Sequence, residues 1–288
     1  VKYRVRHATR YAYENPVDLA GHMLHLTPRA LPGQTILHSR IASTPGPTRV
    51  TEGLDHHGNA VTRLFLEIPH RRFEVVAESL VEVAFPPPPP DSPAWEQVAA
   101  AALQPGTGAP VAEFLFDSTH APADAAAGAY AARFFTPDRP ILAALLDLNH
   151  AIGRDFAFRA GVTTTATTVA QIMKLRAGVC QDFSHLMISA LRRLGLPARY
   201  VSGYIRTKPP PGIAKRLGSD QSHAWVGAWL GPAQGWIDLD PTNNLVVRDE
   251  HVVLGWGRDF SDVSPVRGII LGGGRHQLKV AVDLEPAG

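Results

Sequence analysis

Five consecutive prolines, Pro86 to Pro90, constrain this chain more than any other feature. Each lacks a backbone N–H and has φ held at about −65°, so the run cannot sit inside a helix or a central strand and must be extended. The residues on its two sides have different textures. Before it, Tyr3 to His7 alternates charged and apolar residues, Ile36 to Ile41 is a short run bounded by turn formers, Val61 to Ile68 is β-branched and apolar, and Phe73 to Phe85 alternates again. Period-two patterning of this kind predicts strands, and the reading is a small β-sandwich over residues 1–85 with a proline-rich linker over 86–93.

Residues 94–288 read as one α+β unit. Its first part, to about Asp155, is alanine-rich with helical spacing, broken at Gln104-Pro105-Gly106 and at Thr136-Pro137-Asp138. The rest alternates a helix from about Cys180 to Leu194 with strands near Ala198 to Ile205, His223 to Leu230, Gly235 to Asp240 and Leu278 to Leu284. With 25 Gly and 25 Pro in 288 residues, many turns are favoured over a long-helix bundle.

Charge and cysteine count narrow the function. Lys and Arg number 28 against 26 Asp and Glu, a formal charge of +2 without any basic run, so a nucleic-acid partner is not expected. No stretch reaches the ~18 to 20 apolar residues of a membrane span. Val1 to Arg10 lacks the pattern of a signal peptide, and the expectation is a cytoplasmic protein without a membrane partner. A single cysteine can form neither an internal disulfide nor a thiolate-rich zinc cluster.

That cysteine stands in an informative place. Phe183, Leu186, Met187, Ala190, Leu191 and Leu194 fall on one helical face, and Gly195 stops the helix, which puts Cys180 in or just before the first turn. Unpaired backbone N–H groups and the helix dipole there favour an anion, and a thiol so placed ionises more readily. Most lone cysteines are only small packed hydrophobes, so the neighbourhood must decide. Downstream, Ser222 to Leu230 reads as a strand carrying His223 and Trp225 on one face. Gly231 to Gly235 is a turn, and Trp236 to Asp240 returns antiparallel with Asp238 and Asp240 on one face before Pro241. A hairpin thus brings a carboxylate beside an imidazole. Cysteine, histidine and aspartate in that relation suit thiol acyl transfer, in which a thiolate attacks a carbonyl, the imidazole handles the proton and the carboxylate fixes the tautomer.

The blocks Gly178-Val179-Cys180-Gln181-Asp182-Phe183, Ser222-His223-Ala224-Trp225 and Asp240-Pro241-Thr242-Asn243 resemble the three motifs of the transglutaminase-like superfamily. Leu196 to Tyr204 is similar to the segment between them in bacterial members. His7 to Tyr11 and Asp55 to Asn59 resemble the accompanying N-terminal region, and Gly257 to Pro265 resembles a C-terminal block. The resemblance implies a papain-like α+β core, with Cys180 as nucleophile, His223 as base and Asp240 as orienting acid. Asp238, about 7 Å from Asp240 at strand rise, is the fallback. Asp182 is expected to cap the helix start or support its neighbours, and Tyr204 and Trp225 are candidate walls of a substrate groove.

The implied activity is cleavage of a peptide or protein amide or isopeptide bond through a thioester, with no cofactor and no metal. Transamidation of a glutamine side chain and a catalytically silent binding protein are the alternatives. The backbone N–H of Cys180 is the first candidate oxyanion donor. Gln171, offered by analogy with thiol proteases, reads better as an ordinary helix residue. Zinc is set aside because no His-x-x-x-His or comparable ligand pair sits on a helix near an acid; His56 and His57 are adjacent, would point differently in a strand, and read better as part of a polar turn. The segment Lys208 to Asp220, with Pro209-Pro210-Pro211-Gly212, is expected to act as a lid.

Overall fold

Alternation in the first third produces five strands: β1 (Lys2–Leu24), β2 (Gln34–Thr44), β3 (Arg49–Leu54), β4 (Ala60–Leu66) and β5 (His70–Val83). These bounds come from a computed structural model, which describes residues 1–104, 109–207 and 221–287. The proposed lid, Lys208 to Asp220, lies outside the described residues, as do Pro105 and Gly106. The helices are α1 (Trp95–Ala102), α2 (Ala109–Ala112), α3 (Ala125–Ala132), α4 (Ile141–Asp155), α5 (Val169–Leu175) and α6 (Cys180–Arg193). Short strands β6 (Ala157–Phe158) and β7 (Ala177–Gly178) pair in parallel, and a core sheet follows. It contains β8 (Ala198–Ile205), β9 (Gln221–Trp229), β10 (Trp236–Asp240), β11 (Leu245–Val246) and β12 (His251–Gly257), in the antiparallel order β11-β10-β9-β8-β12. The chain ends in β13 (Val266–Gly272) and β14 (His276–Pro286). The expected α+β class is therefore what folds, a strand-rich N-terminal domain beside a helix-and-sheet core.

One expectation about domain limits needs correction: β13 and β14 leave the core and pair antiparallel with β1, so the C-terminal strands belong to the N-terminal sheet and not to a unit running from 94 to 288. Alternation marks β14 as a strand but carries no information about a partner more than 250 residues away; Ala287 N–H reaches Lys2 C=O at 2.9 Å. The seven strands of the expected strand-rich N-terminal domain are hydrogen-bonded into one sheet through β1. β1 joins its two parts. Residues Lys2 to Ala12 pair with β5, and after an irregularity spanning Pro16, Ala20 to Leu24 pair with β4. A proline, lacking a donor, suits that break in the ladder. Tyr13, Val17, Ala20 and Leu24 of β1 pack with Leu64 of β4 and Phe73 of β5 in one apolar cluster.

The proline run does not hang free. Pro86 to Pro89, together with Arg29, His57, Trp236 and Trp256, lines a cavity of about 1190 Å³ between the N-terminal sheet and the core. The Asp55–Asn59 turn closes the same interface. Asn59 donates to Trp256 C=O at 2.8 Å and accepts from Trp256 N–H at 3.0 Å, while Arg29 lies 3.7 Å over the Trp256 ring.

Helix α6 is the centre of the core. The one-face pattern predicts an amphipathic helix, but Ser184, His185, Ser189 and Arg192 are buried too. Each polar group is satisfied on a different side. Ser189 donates to Pro122 C=O, His185 Nε2 accepts from Phe260 N–H, and Arg192 donates to the carbonyls of Phe114, Ala121, Ala198 and Arg258. Buried polar side chains must find such partners, so these tie the alanine-rich segment and the C-terminal block to the helix that starts at Cys180.

Candidate active site

The helix start is built by Asp182. Its Oδ2 accepts from Val179 N–H at 2.7 Å and from the Thr163 hydroxyl at 2.6 Å, while Val179, the capping residue, has no side-chain acceptor of its own. Gly178 is required by close approach, since a Cβ there would lie 2.6 Å from Asp182 Oδ2. Asp182 is thus spent on fixing the first turn. Cys180 is the first residue of α6, half-buried and free.

The thiol meets an imidazole brought by the adjacent sheet. His223 on β9 is close enough to the Cys180 side chain for the two to interact electrostatically, and its Nε2 donates to Asp240 Oδ2 at 2.7 Å. With Nε2 committed to the carboxylate, Nδ1 is the nitrogen left for sulfur. Burial alone would push this imidazole down, but the hydrogen bond to Asp240, the interaction with Cys180 and the charge of Asp240 raise it to about 10. The structure therefore brings Cys180, His223 and Asp240 together.

Asp240, at the end of β10, is completely buried. Oδ1 accepts from the backbone N–H groups of Thr242 (3.0 Å) and Asn243 (3.1 Å), the turn geometry typical of an Asp followed by Pro. Oδ2 accepts from His223, from the Asn243 amide at 2.7 Å and from His251 Nε2 at 3.3 Å. Burial opposes the charge, but the hydrogen bonds from His223 and His251 outweigh it and hold the carboxyl well below the usual range.

His251 and the side chain of Asn243 are the contributions that sequence reasoning did not assign. His251 opens β12 and is buried, with its ring edge-on to Trp225 at 5.2 Å. No local pattern marks it, because its partner stands on β10 and the approach depends on the path of residues 241–250. Asn243 carried a signal, being the fourth residue of the Asp-Pro-Thr-Asn block, yet spacing alone does not say where its amide points.

Three further candidates neither join the Cys180–His223–Asp240 chain nor line an open groove, although the Trp225 ring lies 6.1 Å from that of His223. Asp238, the fallback acid, accepts from the Trp225 indole N–H at 3.0 Å and lies 3.7 Å from Arg199, so it supports Trp225 and does not touch His223. Trp225 is fully buried and cannot wall an open groove; its ring fits over Gly203, where a Cβ would come within 2.4 Å of it. Tyr204 is also buried, packed with Tyr3 and Val5 of the N-terminal sheet, and its hydroxyl is 3.0 Å from His7 Nδ1. Alternation placed these side chains correctly on strands but could not say what covers each face. Gln171 accepts through Oε1 from Thr168 N–H at 2.8 Å as part of the cap of α5, the role of an ordinary residue at a helix start. His223, Asp240 and His251 have the composition of a metal site, but both histidines already point Nε2 at the same carboxylate oxygen, and the hydrogen bonds account for the arrangement.

Comparison with known proteins agrees with this fold. Residues 3–82 match the bacterial transglutaminase-like N-terminal region, and residues 128–241 match the transglutaminase-like superfamily. The chain is 38% identical over 294 residues to an uncharacterised protein of Mycobacterium tuberculosis, covering 99% of this chain and 93% of that protein. A shorter stretch of 68 residues is 40% identical to a protein-glutamine gamma-glutamyltransferase of Pseudomonas aeruginosa, covering 23% of this chain and 10% of that enzyme. Among solved structures, a "putative cysteine protease" from Cytophaga hutchinsonii shares the fold with a TM-score of 0.74 at 22% identity, covering 100% of this chain and 91% of that one. With the matched region ending at Pro241, just past the buried acid, and a relative aligned from end to end, the chain belongs to the transglutaminase-like superfamily.

Proposed function

We propose that this protein is a cysteine-dependent acyl-transfer enzyme that cleaves an amide or isopeptide bond of a peptide or protein. The observation that carries the reading is the connected chain from the Cys180 thiol through His223 to an Asp240 carboxylate whose other hydrogen bonds hold it in place. Cys180 transfers its proton to His223, and the raised imidazole basicity favours the resulting thiolate–imidazolium pair. The thiolate attacks the carbonyl carbon; the imidazolium gives its proton to the departing amine as the C–N bond breaks, leaving a thioester on sulfur. Water, giving a proton to His223, then attacks the thioester carbonyl; the C–S bond breaks, the carboxylic acid leaves, and the imidazolium proton returns to sulfur and restores the thiol. The backbone N–H of Cys180, at the start of α6, is positioned by sequence to donate to the oxyanion.

A second reading, transamidation, is favoured by the local similarity to the Pseudomonas glutamyltransferase. It shares every step up to the thioester, after which an amine replaces water. Incubation with a glutamine-containing peptide and a labelled primary amine separates the two: amine incorporation without release of acid favours transamidation, and release of acid without incorporation favours hydrolysis.

Thiol reactivity tests the shared chemistry. At pH 6 an unassisted thiol of pKa about 8.5 is under about 1% thiolate, so Cys180 should react with iodoacetamide far faster than free cysteine. His223→Ala should slow it by on the order of 10²-fold. Equal rates in the two proteins would abandon the catalytic reading and leave a binding protein on an enzyme fold.

A further inference from the structure

A second group of histidines and carboxylates stands apart from the thiol, at the rim of the large cavity. Adjacent histidines in a strand would point to opposite faces, but His56 and His57 lie in the turn between β3 and β4, where Gly58 N–H bonds back to Asp55 C=O. Their rings are 4.9 Å apart and steeply inclined, and both approach Glu113 in the single 3₁₀ turn Glu113–Leu115. His56 Nε2 lies 2.9 Å from Glu113 Oε2, and His57 Nδ1 lies 3.5 Å from Oε1. One donor atom from each of the three lies within 4.8 Å of the other two.

His57 is the informative member. Its side chain is 5% exposed, its Nε2 is 3.2 Å from Asp262 Oδ2, and its Nδ1 is buried without a hydrogen-bond partner among the described residues. With Asp262 accepting from Nε2–H, the neutral ring carries its lone pair on Nδ1, facing the carboxylate of Glu113. Two electron-rich atoms directed at one another need a cation between them. The occupant is either a proton on Nδ1 or a metal ion, and a carboxylate on the far nitrogen is the arrangement that orients a metal-binding histidine. Asp55 adds a third carboxylate to this pocket, while Arg258, the nearby cation, is paired with Asp262 through two nitrogens.

We propose that His56 Nε2, His57 Nδ1 and the Glu113 carboxylate form a site for a divalent transition-metal ion of the zinc class, completed by solvent and oriented by Asp262. Two imidazoles and one carboxylate suit zinc, cobalt or nickel better than calcium or magnesium, which prefer oxygen donors throughout. The ion would tie the turn of the N-terminal sheet to the alanine-rich segment of the core, across the edge of the cavity. It does not depend on the reading of Cys180.

Metal titration of an untagged Cys180→Ser chain, stripped with chelator, tests this without a thiolate ligand. One equivalent of Co²⁺ should bind with visible d–d absorption, Zn²⁺ should displace it, and the thermal midpoint should rise with either ion. His56→Ala, at an exposed side chain that cannot jeopardise folding, and Glu113→Gln should each weaken binding by at least about tenfold. His57→Ala should abolish the cobalt spectrum. Failure of the stripped chain to take up an equivalent of Co²⁺ or Zn²⁺, or affinity in the His56→Ala and Glu113→Gln chains unchanged from that of the parent, overturns the proposal and leaves a proton between His57 and Glu113.

Discussion

The two histidine–carboxylate clusters of this protein are built from the same side chains and are finished differently. Around Asp240, both oxygens are taken up by five donors, the carboxylate is wholly buried, and two imidazoles point at one oxygen. Among the described residues each cluster has one buried ring nitrogen without a partner, Nδ1 of His251 and Nδ1 of His57, but around Glu113 the groups converge at an open rim where His56 is exposed. The contrast shows how composition alone misleads. A buried cluster whose carboxylate is filled internally is rigid and suited to holding one imidazole in one tautomer, whereas a cluster at an open rim can receive something from outside.

The strongest way to break this contrast is to empty the buried cluster. Asp240→Ala leaves two buried imidazoles and the Asn243 amide without their acceptor and should lower stability by about 3–5 kcal/mol, read from urea unfolding. A loss below about 1 kcal/mol would mean that the cluster is not the rigid unit inferred here. His251→Phe removes one donor from Asp240 while keeping the edge contact with Trp225. It should cost about 1–2 kcal/mol and slow Cys180 alkylation by less than about tenfold, through a looser Asp240 rather than a lost base. Restoration by His251→Gln, which can still donate, would identify the hydrogen bond as the cause; no recovery would assign the loss to packing.

Stability against pH sharpens the comparison. The raised value of His223 means that its contribution is complete below the unfolded value of about 6.5 and disappears as pH climbs through about 10. His185 and His7 are opposite cases. Burial lowers them to about 3 and about 4, so the unfolded chain takes up protons first and stability falls as pH drops below about 6.5. Each group changes the slope by at most about 1.4 kcal/mol per pH unit. Urea midpoints from pH 5 to 10 should peak near neutrality, and His223→Gln should flatten the alkaline side alone; an unchanged alkaline side would refute the raised imidazole. The smallest effect belongs to Gln171→Ala, which loses a helix cap at a cost of about 0.5–1 kcal/mol with no loss of thiol reactivity. A large loss of reactivity would return Gln171 to the site.

Much of the thiol site was legible because its parts are locally encoded. Helical spacing from Phe183 onward put Cys180 at a helix start, alternation placed His223 on a strand, and the Gly231–Gly235 turn implied the return that carries Asp240. Other assignments were not legible for definite reasons. Asp238 and Asp240 share a strand face, and only the Trp225 indole beside one and the His223 ring beside the other separate them. Tyr204 and Trp225 look like groove walls until the N-terminal sheet and β12 are seen to cover them. His56 and His57 read as part of a polar turn, as they are, but no local pattern places Glu113 beside them.

By itself, the amino-acid order determined the chemistry on offer: one thiol at a helix start, one imidazole and one carboxylate on a hairpin, and a proline run separating two textures. Periodicity and turn residues act over a few positions, and those features need nothing more. Only the tertiary structure decided that His251 completes the acid, that the C-terminal strands close the N-terminal sheet, and that the adjacent histidines face a carboxylate 56 and 57 positions away. Such pairings depend on burial and on hydrogen bonds between segments remote along the chain, and no short window of sequence contains both partners.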